Sequence, residues 1–470
     1  IRRQRQMCIR DRGTTLSNHA DSGYDLRFVE IRCGNLMLNY TWLNGTDSIL
    51  VRDYACSKTG YATFRVLTSQ MHKLEFRFGE DIEYARNFAV YTCSSCEECS
   101  DYLQNGTMIS GDILKLTADI TNYAGANDST DEGESCIKFG GADDLTFDCQ
   151  GHTISGDGDD YGYGIWLDDS STGSNNNTIK NCGNISYFKY GIYLYYSDDN
   201  TLTNITLYDN YYYGIMLDAS LSNTLINIVA TDHSRGIYLY YSDDNTLTNI
   251  TSNHNSDGIY IHNSDTNTLT NITANYNNDE GIRSYSYSNT FTNITANYND
   301  YGIVLYSSKD NTLISITSSH NSDYGIDIFS SSYGESDNNT VTSSTITNNT
   351  LAGIWLHGGE GYYPEYNLIY NNFLNNTKNI EIYPDIPNPN YFNTSLNCSG
   401  QTNIIGGPCI GGNYWTDPDG NFSDTCQDQD GNGICDSEYN ISADYSWAKD
   451  YLPLSPTPIH IELHSTEDNA

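Results

Sequence analysis

Basic residues are scarce in this chain: 22 Lys and Arg stand against 60 Asp and Glu, a formal net charge of −38 over 470 residues. A surface of that sign repels phosphate backbones, which excludes nucleic acid as a partner. No apolar run reaches the roughly 20 residues that a membrane-spanning helix needs. Good helix formers are few, whereas Tyr (41), Asn, Ser and Thr are plentiful. The charge suits an exposed, highly soluble surface, a cation-rich setting or a halophilic habitat.

The chain begins without Met and shows no apolar signal-peptide core. Residues 1–12 hold five of the basic residues and one acid, out of character with the rest. They read as a non-native segment joined to a truncated gene. A signal peptide is then expected to have been lost, and a basic targeting tail is the alternative.

One unit recurs about every 22 residues between Gly164 and Gly353. It opens with Gly-Ile, as in Gly191-Ile192-Tyr193-Leu194-Tyr195, and after a polar turn continues as Asn200-Thr201-Leu202-Thr203-Asn204-Ile205-Thr206. A fixed period of this length marks a solenoid, in which each repeat buries its apolar face only against its neighbours. Ile192 and Leu194 point one way and Tyr193 and Tyr195 the other, so the opening element is a strand. Leu202 and Ile205 are three apart and cannot share one face of a single extended strand. A corner at Asn204 resolves this, because Asn tolerates the left-handed conformation. The slot repeats at Asn181, Asn227, Asn249, Asn271 and Asn293 and becomes Ser315. Stacked in register, these amides are expected to form an internal ladder.

The arrangement resembles the right-handed parallel β-helix of pectate lyases and related proteins. The expected class is all-β, with three-strand coils of about 22 residues, a small N-terminal β domain and a C-terminal cap. The expected divisions are 13–90 for the β domain, 91–411 for the β-helix with a Cys-containing N-terminal cap, and 412–470 for the C-terminal cap and tail. The alternating segments Ile49-Leu50-Val51 and Thr63-Phe64-Arg65-Val66-Leu67 supply strands to the first, with the end of a truncated β-sandwich as the alternative to a small complete domain.

Thirteen cysteines become twelve without Cys8. An even count in an acidic, sequon-rich chain favours an oxidising, extracytoplasmic setting. Cys33/Cys56, Cys398/Cys409 and Cys426/Cys435 are close enough to form local disulfides. Cys93-Ser-Ser-Cys96-Glu-Glu-Cys99 has spacing for disulfides or for zinc or a cluster. This run, with Cys136 and Cys149 beyond it, resembles the first coils of archaeal surface β-helix proteins. Sequons are numerous; those at Asn204, Asn249, Asn271 and Asn293 arise from the repeat and are read as internal, which leaves Asn44, Asn105 and Asn393 as the better glycosylation candidates.

Asp428, Asp430, Asn432 and Asp436 stand at positions 1, 3, 5 and 9 of a loop with Gly433 at 6 and the Ile434 carbonyl at 7. That is the ligand spacing of an EF-hand Ca²⁺ loop, although Tyr439 stands where the bidentate Glu belongs. A structural Ca²⁺ is expected, with an acidic disulfide-closed turn as the alternative. Gly412-Asn413-Tyr414-Trp415 before the loop and Asp450-Tyr451-Leu452-Pro453-Leu454 after it resemble the C-terminal segment of the NosD-like β-helix family. That resemblance implies a periplasmic protein linked to copper delivery.

Outward slots of the first strand are mostly aromatic: Trp166, Tyr193, Tyr195, Tyr238, Tyr240, Tyr260 and Trp355. These are the candidate ligand-binding residues, since ring faces suit sugars. Asp168, Asp218, Asp327 and Arg283 interrupt them. Asp168 and Asp218 lie two coils, about 10 Å, apart, at the upper limit for an inverting acid–base pair. No outward row shows clustered acids, so no catalytic residues are assigned. His254 and His320 fall three coils apart, and His262 and His357 four, too far to share a copper ion. The function expected is an extracytoplasmic scaffold for adhesion or for binding a glycan or cell-surface polymer. The rival is a polysaccharide lyase, hydrolase or epimerase, which converging acids or an acid–Arg pair on one outward groove would favour. A NosD-like metal-delivery accessory is the third reading.

Overall fold

The computed structural model describes residues 89–124, 135–158, 162–168, 173–383 and 386–456, and six strands by their backbone before residue 89. The chain divides into two compact units, 1–89 and 90–470. In the first, Ser48–Val51, Met37–Thr41, Lys73–Phe78 and Asp81–Ala85 form a four-stranded antiparallel sheet in that order, and Leu26–Phe28 pairs with Phe64–Val66. Cys33, Cys56 and residues 1–12 lie outside the described residues.

The second unit is the right-handed parallel β-helix. Each coil gives one strand to an 11-stranded sheet and a longer, bent strand to a second sheet. Tyr190–Tyr195 pairs in parallel with Tyr213–Asp218, and Thr201–Tyr208 with Thr224–Thr231. The register sets Ile192 on Ile215, Leu202 on Leu225 and Ile205 on Ile228, all at most 1% exposed. Each coil therefore closes its core only against the coils above and below. The Gly that opens a coil has no room for a side chain: a Cβ on Gly214 would lie 2.5 Å from the Gly236 carbonyl oxygen.

The predicted second and third strands run on as one strand bent at Asn204, whose φ is 55°. The ladder also exists: Asn249 Nδ2 donates to Asn227 Oδ1 at 3.1 Å, and Asn271 Nδ2 to Asn249 Oδ1 at 3.1 Å. It is not internal, however. Asn204, Asn249, Asn271 and Asn293 are exposed, because a left-handed corner between two inward residues turns its own side chain outward. The internal ladders use other residues. The Asn223 N–H donates to Asn245 Oδ1 at 2.7 Å and the Asn245 N–H to Asn267 Oδ1 at 2.8 Å. A second buried column runs through Asn255, Asn277 and Asn299, and a third through Ser220, Ser242 and Ser264. Each takes a turn N–H from the coil before, and so satisfies backbone that would otherwise be orphaned in the core.

Both ends are closed. At the N-terminal end the helix Cys96–Gln104, an exception within the expected all-β class, packs on strands Val90–Cys93, Ile113–Leu116 and Ile137–Lys138. Ser95 caps it by accepting from the Glu98 N–H, and Cys96, Cys99 and Leu103 form its buried face. The zinc alternative falls here, since Cys93 pairs with Cys99 and Cys96 with Cys136. Cys149–Cys182 joins adjacent coils, and the expected Cys398–Cys409 and Cys426–Cys435 bridges are formed. At the C-terminal end Tyr414–Thr416 pairs with Phe373–Asn375. Trp415, fully buried, donates from Nε1 to Asp450 Oδ2 at 2.8 Å, and the Asn413 N–H reaches the same oxygen at 2.7 Å.

Candidate active site on the outward face of the first sheet

The outward side of the 11-stranded sheet carries three columns of side chains. One stands just before each Gly-Ile pair: Tyr190, Tyr213, Arg235, Asp257, Glu280, Tyr301. The second runs Trp166, Tyr193, Met216, Tyr238, Tyr260, Arg283, Val304, Asp327, Trp355. The third runs Tyr195, Asp218, Tyr240, His262, Tyr285.

All seven aromatic candidates lie on this surface, and four of them, Tyr193, Tyr238, Tyr260 and Trp355, are stacked on a neighbouring ring. Tyr238 and Tyr260 stack at 5.1 Å and 9°, Tyr193 stacks on Tyr163 at 5.2 Å, and Trp355 on Tyr324 at 4.4 Å. A ring stacked along the solenoid axis presents its edge and hydroxyl to solvent, not its face. Asp168 and Asp218 do not come together as an acid–base pair. Asp168 lies 3.9 Å from Lys138, and Asp218 accepts from the Tyr193 hydroxyl at 2.9 Å.

The expectation that no outward row clusters acids is corrected by the first column. Asp257, Asp279 and Glu280 bring carboxylate oxygens within 4.8 Å of one another. Arg235 Nε donates to Asp257 Oδ2 at 3.0 Å, and Arg283 Nη1 to Glu280 Oε1 at 2.8 Å. Burial and a hydrogen bond with Asp257 push the Glu280 carboxyl up to about 8, against the pull of Arg283, so at neutral pH it holds a proton. The Arg283 Nε–H is buried without an acceptor among the described residues. The Arg235 guanidinium also lies over the Tyr260 and Tyr238 rings, at 4.3 and 4.8 Å.

His262 stands beside this cluster in the third column, with the Tyr238 hydroxyl 3.4 Å from its Nδ1. Burial, then Arg235 and Arg283, hold it below the usual histidine range, so it is a neutral base at pH 7. Arg235, Asp257 and Glu280 fill the slot before Gly-Ile, which the apolar alternation of the strand does not single out. The signal available in the sequence was that a column of Tyr changes there to Arg235, Asp257 and Glu280 in three successive coils.

The loop Asp428–Asp436 is a tight turn closed by its own backbone. Asp428 Oδ2 accepts from the Gly433 N–H and the Ser455 hydroxyl, both at 2.8 Å, and Asn432 Oδ1 accepts from the Ile434 N–H at 2.8 Å. Asp430 Oδ1 accepts from the Asn432 N–H at 3.2 Å, and Asp436 Oδ2 from the Gln429 N–H at 3.2 Å.

The family profile described as periplasmic copper-binding protein (NosD) matches residues 150–298 and 227–420, together more than half of the chain. No curated protein sequence matches it. Among solved structures, the A-module of the mannuronan C-5 epimerase AlgE6 of Azotobacter vinelandii is 16% identical, with a TM-score of 0.48 over 64% of this chain and 87% of its own. An alginate lyase from Paenibacillus sp. is 15% identical, with a TM-score of 0.35 over 64% and 97%. The Dettilon tailspike protein is 13% identical, with a TM-score of 0.39 over 65% and 63%.

Copper does not fit the donors among the described residues. His254 and His320 are held apart by the rings of Tyr276 and Tyr298, which stack between them at successive separations of 5.4, 4.9 and 5.0 Å. The described cysteines are all in disulfides. The remaining cluster, Asp257, Asp279 and Glu280, is all carboxylate, with Asp257 and Glu280 bonded to guanidiniums, whereas copper prefers imidazole and sulfur.

Proposed function

The chain belongs to the NosD family of parallel β-helix proteins, and from that premise we propose that it is an extracytoplasmic enzyme acting on a polysaccharide by proton transfer. The observation that carries this reading is the convergence of Asp257 and Glu280 with Arg235 and Arg283 across two adjacent outward columns. Two carboxyl groups in hydrogen-bond contact cannot straddle a glycosidic bond, because both hydrolytic geometries need about 5 Å or more between them. A shared proton beside two guanidiniums suits a different reaction, removal of the proton next to a sugar carboxylate.

In that reaction His262 accepts the proton from the ring carbon. The electron pair passes into the carboxylate, whose charge Arg283 and Arg235 hold. Return of a proton from Glu280 to the opposite face inverts the carbon. Loss of the linking oxygen, with a proton from Glu280, cleaves the chain instead. The class is therefore lyase or epimerase, and the substrate is a polymer containing uronic acid. The five disulfides among the described residues support an oxidising compartment. The reading keeps a structural Ca²⁺ for the cap, held by Asp428, Asp430, Asn432, the Ile434 carbonyl and Asp436.

The test is a screen of uronic-acid and neutral polysaccharides, read by new unsaturated-sugar absorbance and by NMR of the ring proton. Turnover of an acidic polymer that disappears in Glu280→Gln and Arg283→Ala is expected. Turnover of neutral polymers alone, or of none, would reject the reading.

A further inference from the structure

The same outward face holds a second polar pair, three coils beyond Glu280. His357 Nε2 lies 2.9 Å from Asp327 Oδ1, with side-chain exposures of 13% and 8%. The His357 ring is stacked against both Trp355 and Phe329, which restrains its rotation. Burial raises the Asp327 carboxyl, and its hydrogen bond to His357 opposes this by favouring the ionised form. With Asp327 ionised, it takes the Nε2–H, and Nδ1 is left with no partner among the described residues. An imidazole held in this way is an acceptor of fixed direction. Three steps of about 4.8 Å place it about 14 Å along the axis from the coil of Glu280. That is too far for acid and base to share one bond, since even inverting pairs stay within about 9.5 Å.

We infer that Asp327 and His357 form a distal subsite, in which His357 Nδ1 accepts a hydrogen bond from a hydroxyl of a sugar several units from the reacting one. The inference rests on the polysaccharide reading and adds two things to it. The polymer lies along the solenoid axis rather than across it, and recognition needs a chain long enough to reach from the coil of Glu280 to that of His357. Of the two coils between them, the first carries Tyr301 and Val304 and the second Tyr324 and Asp327, so Asp327 is the next charge after Arg283 along its column. His357 is a binding residue, and Asp327 is a positioning residue that fixes its tautomer.

The experiment compares His357→Phe, which keeps a stacked ring and removes the acceptor, with the full chain on long and short oligomers of whichever polymer is turned over. For long oligomers KM should rise about tenfold, the value of one hydrogen bond to a ligand, with kcat unchanged. For dimers neither constant should move. Nitrogen-15 NMR of the histidines should show Nδ1 of His357 unprotonated in the native protein and a mixture of tautomers in Asp327→Asn. An unchanged KM in His357→Phe, or a protonated Nδ1, overturns the subsite while leaving the enzyme reading intact. Should the protein bind a polymer without turning it over, affinity electrophoresis replaces KM. Binding weakened by His357→Phe then supports the subsite and rejects the enzyme. A protein that neither binds nor turns over any polymer overturns both.

Discussion

The Asn210 N–H donates to Nδ1 of His233 at 3.0 Å, and so a histidine fills a buried column that the following coils fill with asparagine. Asn255 and Asn277 in that column each give Nδ2 to a carbonyl one coil back, at 3.2 Å. His233 Nε2 is buried without a well-formed partner. Burial holds the ring down to about 4, well below its ordinary 6.5.

His233→Asn should therefore stabilise the solenoid by about 1–3 kcal/mol, by replacing an unpaired buried nitrogen with a paired amide. The pH dependence has a definite sign. A base whose folded value is depressed gives its full stability above 6.5 and loses it as pH falls toward 4. The variant's advantage in melting temperature should accordingly widen between those limits on acidification. An equal or lower melting temperature at pH 7 would show that the column tolerates imidazole without cost.

The two asparagine columns should differ in worth. Asn245 accepts from the Asn223 N–H at 2.7 Å and donates to the Ser220 and Asp243 carbonyls at 3.1 Å. Asn245→Ala strands that N–H in the core and should cost about 2–4 kcal/mol. Asn249 sits outside, so Asn249→Ala should cost about 1–2 kcal/mol, mostly from the left-handed corner. Asn249→Gly, which tolerates that corner, should cost less. A melting-temperature series in which Asn249→Ala falls below Asn245→Ala would reverse the assignment of inside and outside.

This contrast shows what the sequence could convey. Period-two alternation at Ile192 and Leu194 placed the core, and Leu202-x-x-Ile205 placed the corner, because apolar spacing records burial directly. It could not say which asparagines were inside. Asn200 and Asn204 are both turn residues in the linear pattern, and only the closed coil separates the first, 1% exposed, from the second. The candidate site was hidden for the same reason. Arg235, Asp257 and Glu280 are 22 and 23 residues apart and become neighbours only through the parallel register. His262, Arg283, Asp327 and His357 were visible in outward slots, but their partners were not.

The cap should respond to calcium if the Asp428–Asp436 loop holds it. Chelation should raise hydrogen exchange across residues 412–454 and leave the middle coils protected, because solenoid contacts are local. Asp430→Ala should reproduce the effect. Equal exchange with and without chelator would leave the Cys426–Cys435 bridge and the Asp428–Gly433 hydrogen bond to order the loop alone.

The last prediction concerns the proton on Glu280. Its carboxyl is pushed up to about 8 by burial and by Asp257, so it can donate a proton at pH 7 and loses that capacity as pH rises through 8. His262 is held below its ordinary range by burial and the two arginines, so it becomes an available base on the acid side of neutrality. The two shifts together predict a bell-shaped kcat/KM with its basic limb near 8. Glu280→Gln should remove that limb and lower kcat by about 10²–10⁴-fold, the usual worth of a positioned general acid. Arg283→Lys should also lower kcat, since a lysine cannot hold Glu280 and a substrate carboxylate in one plane. A basic limb that persists unchanged in Glu280→Gln would assign the proton to another group on the face, and the tyrosine hydroxyl of Tyr238, 3.4 Å from His262, would be the next residue to replace.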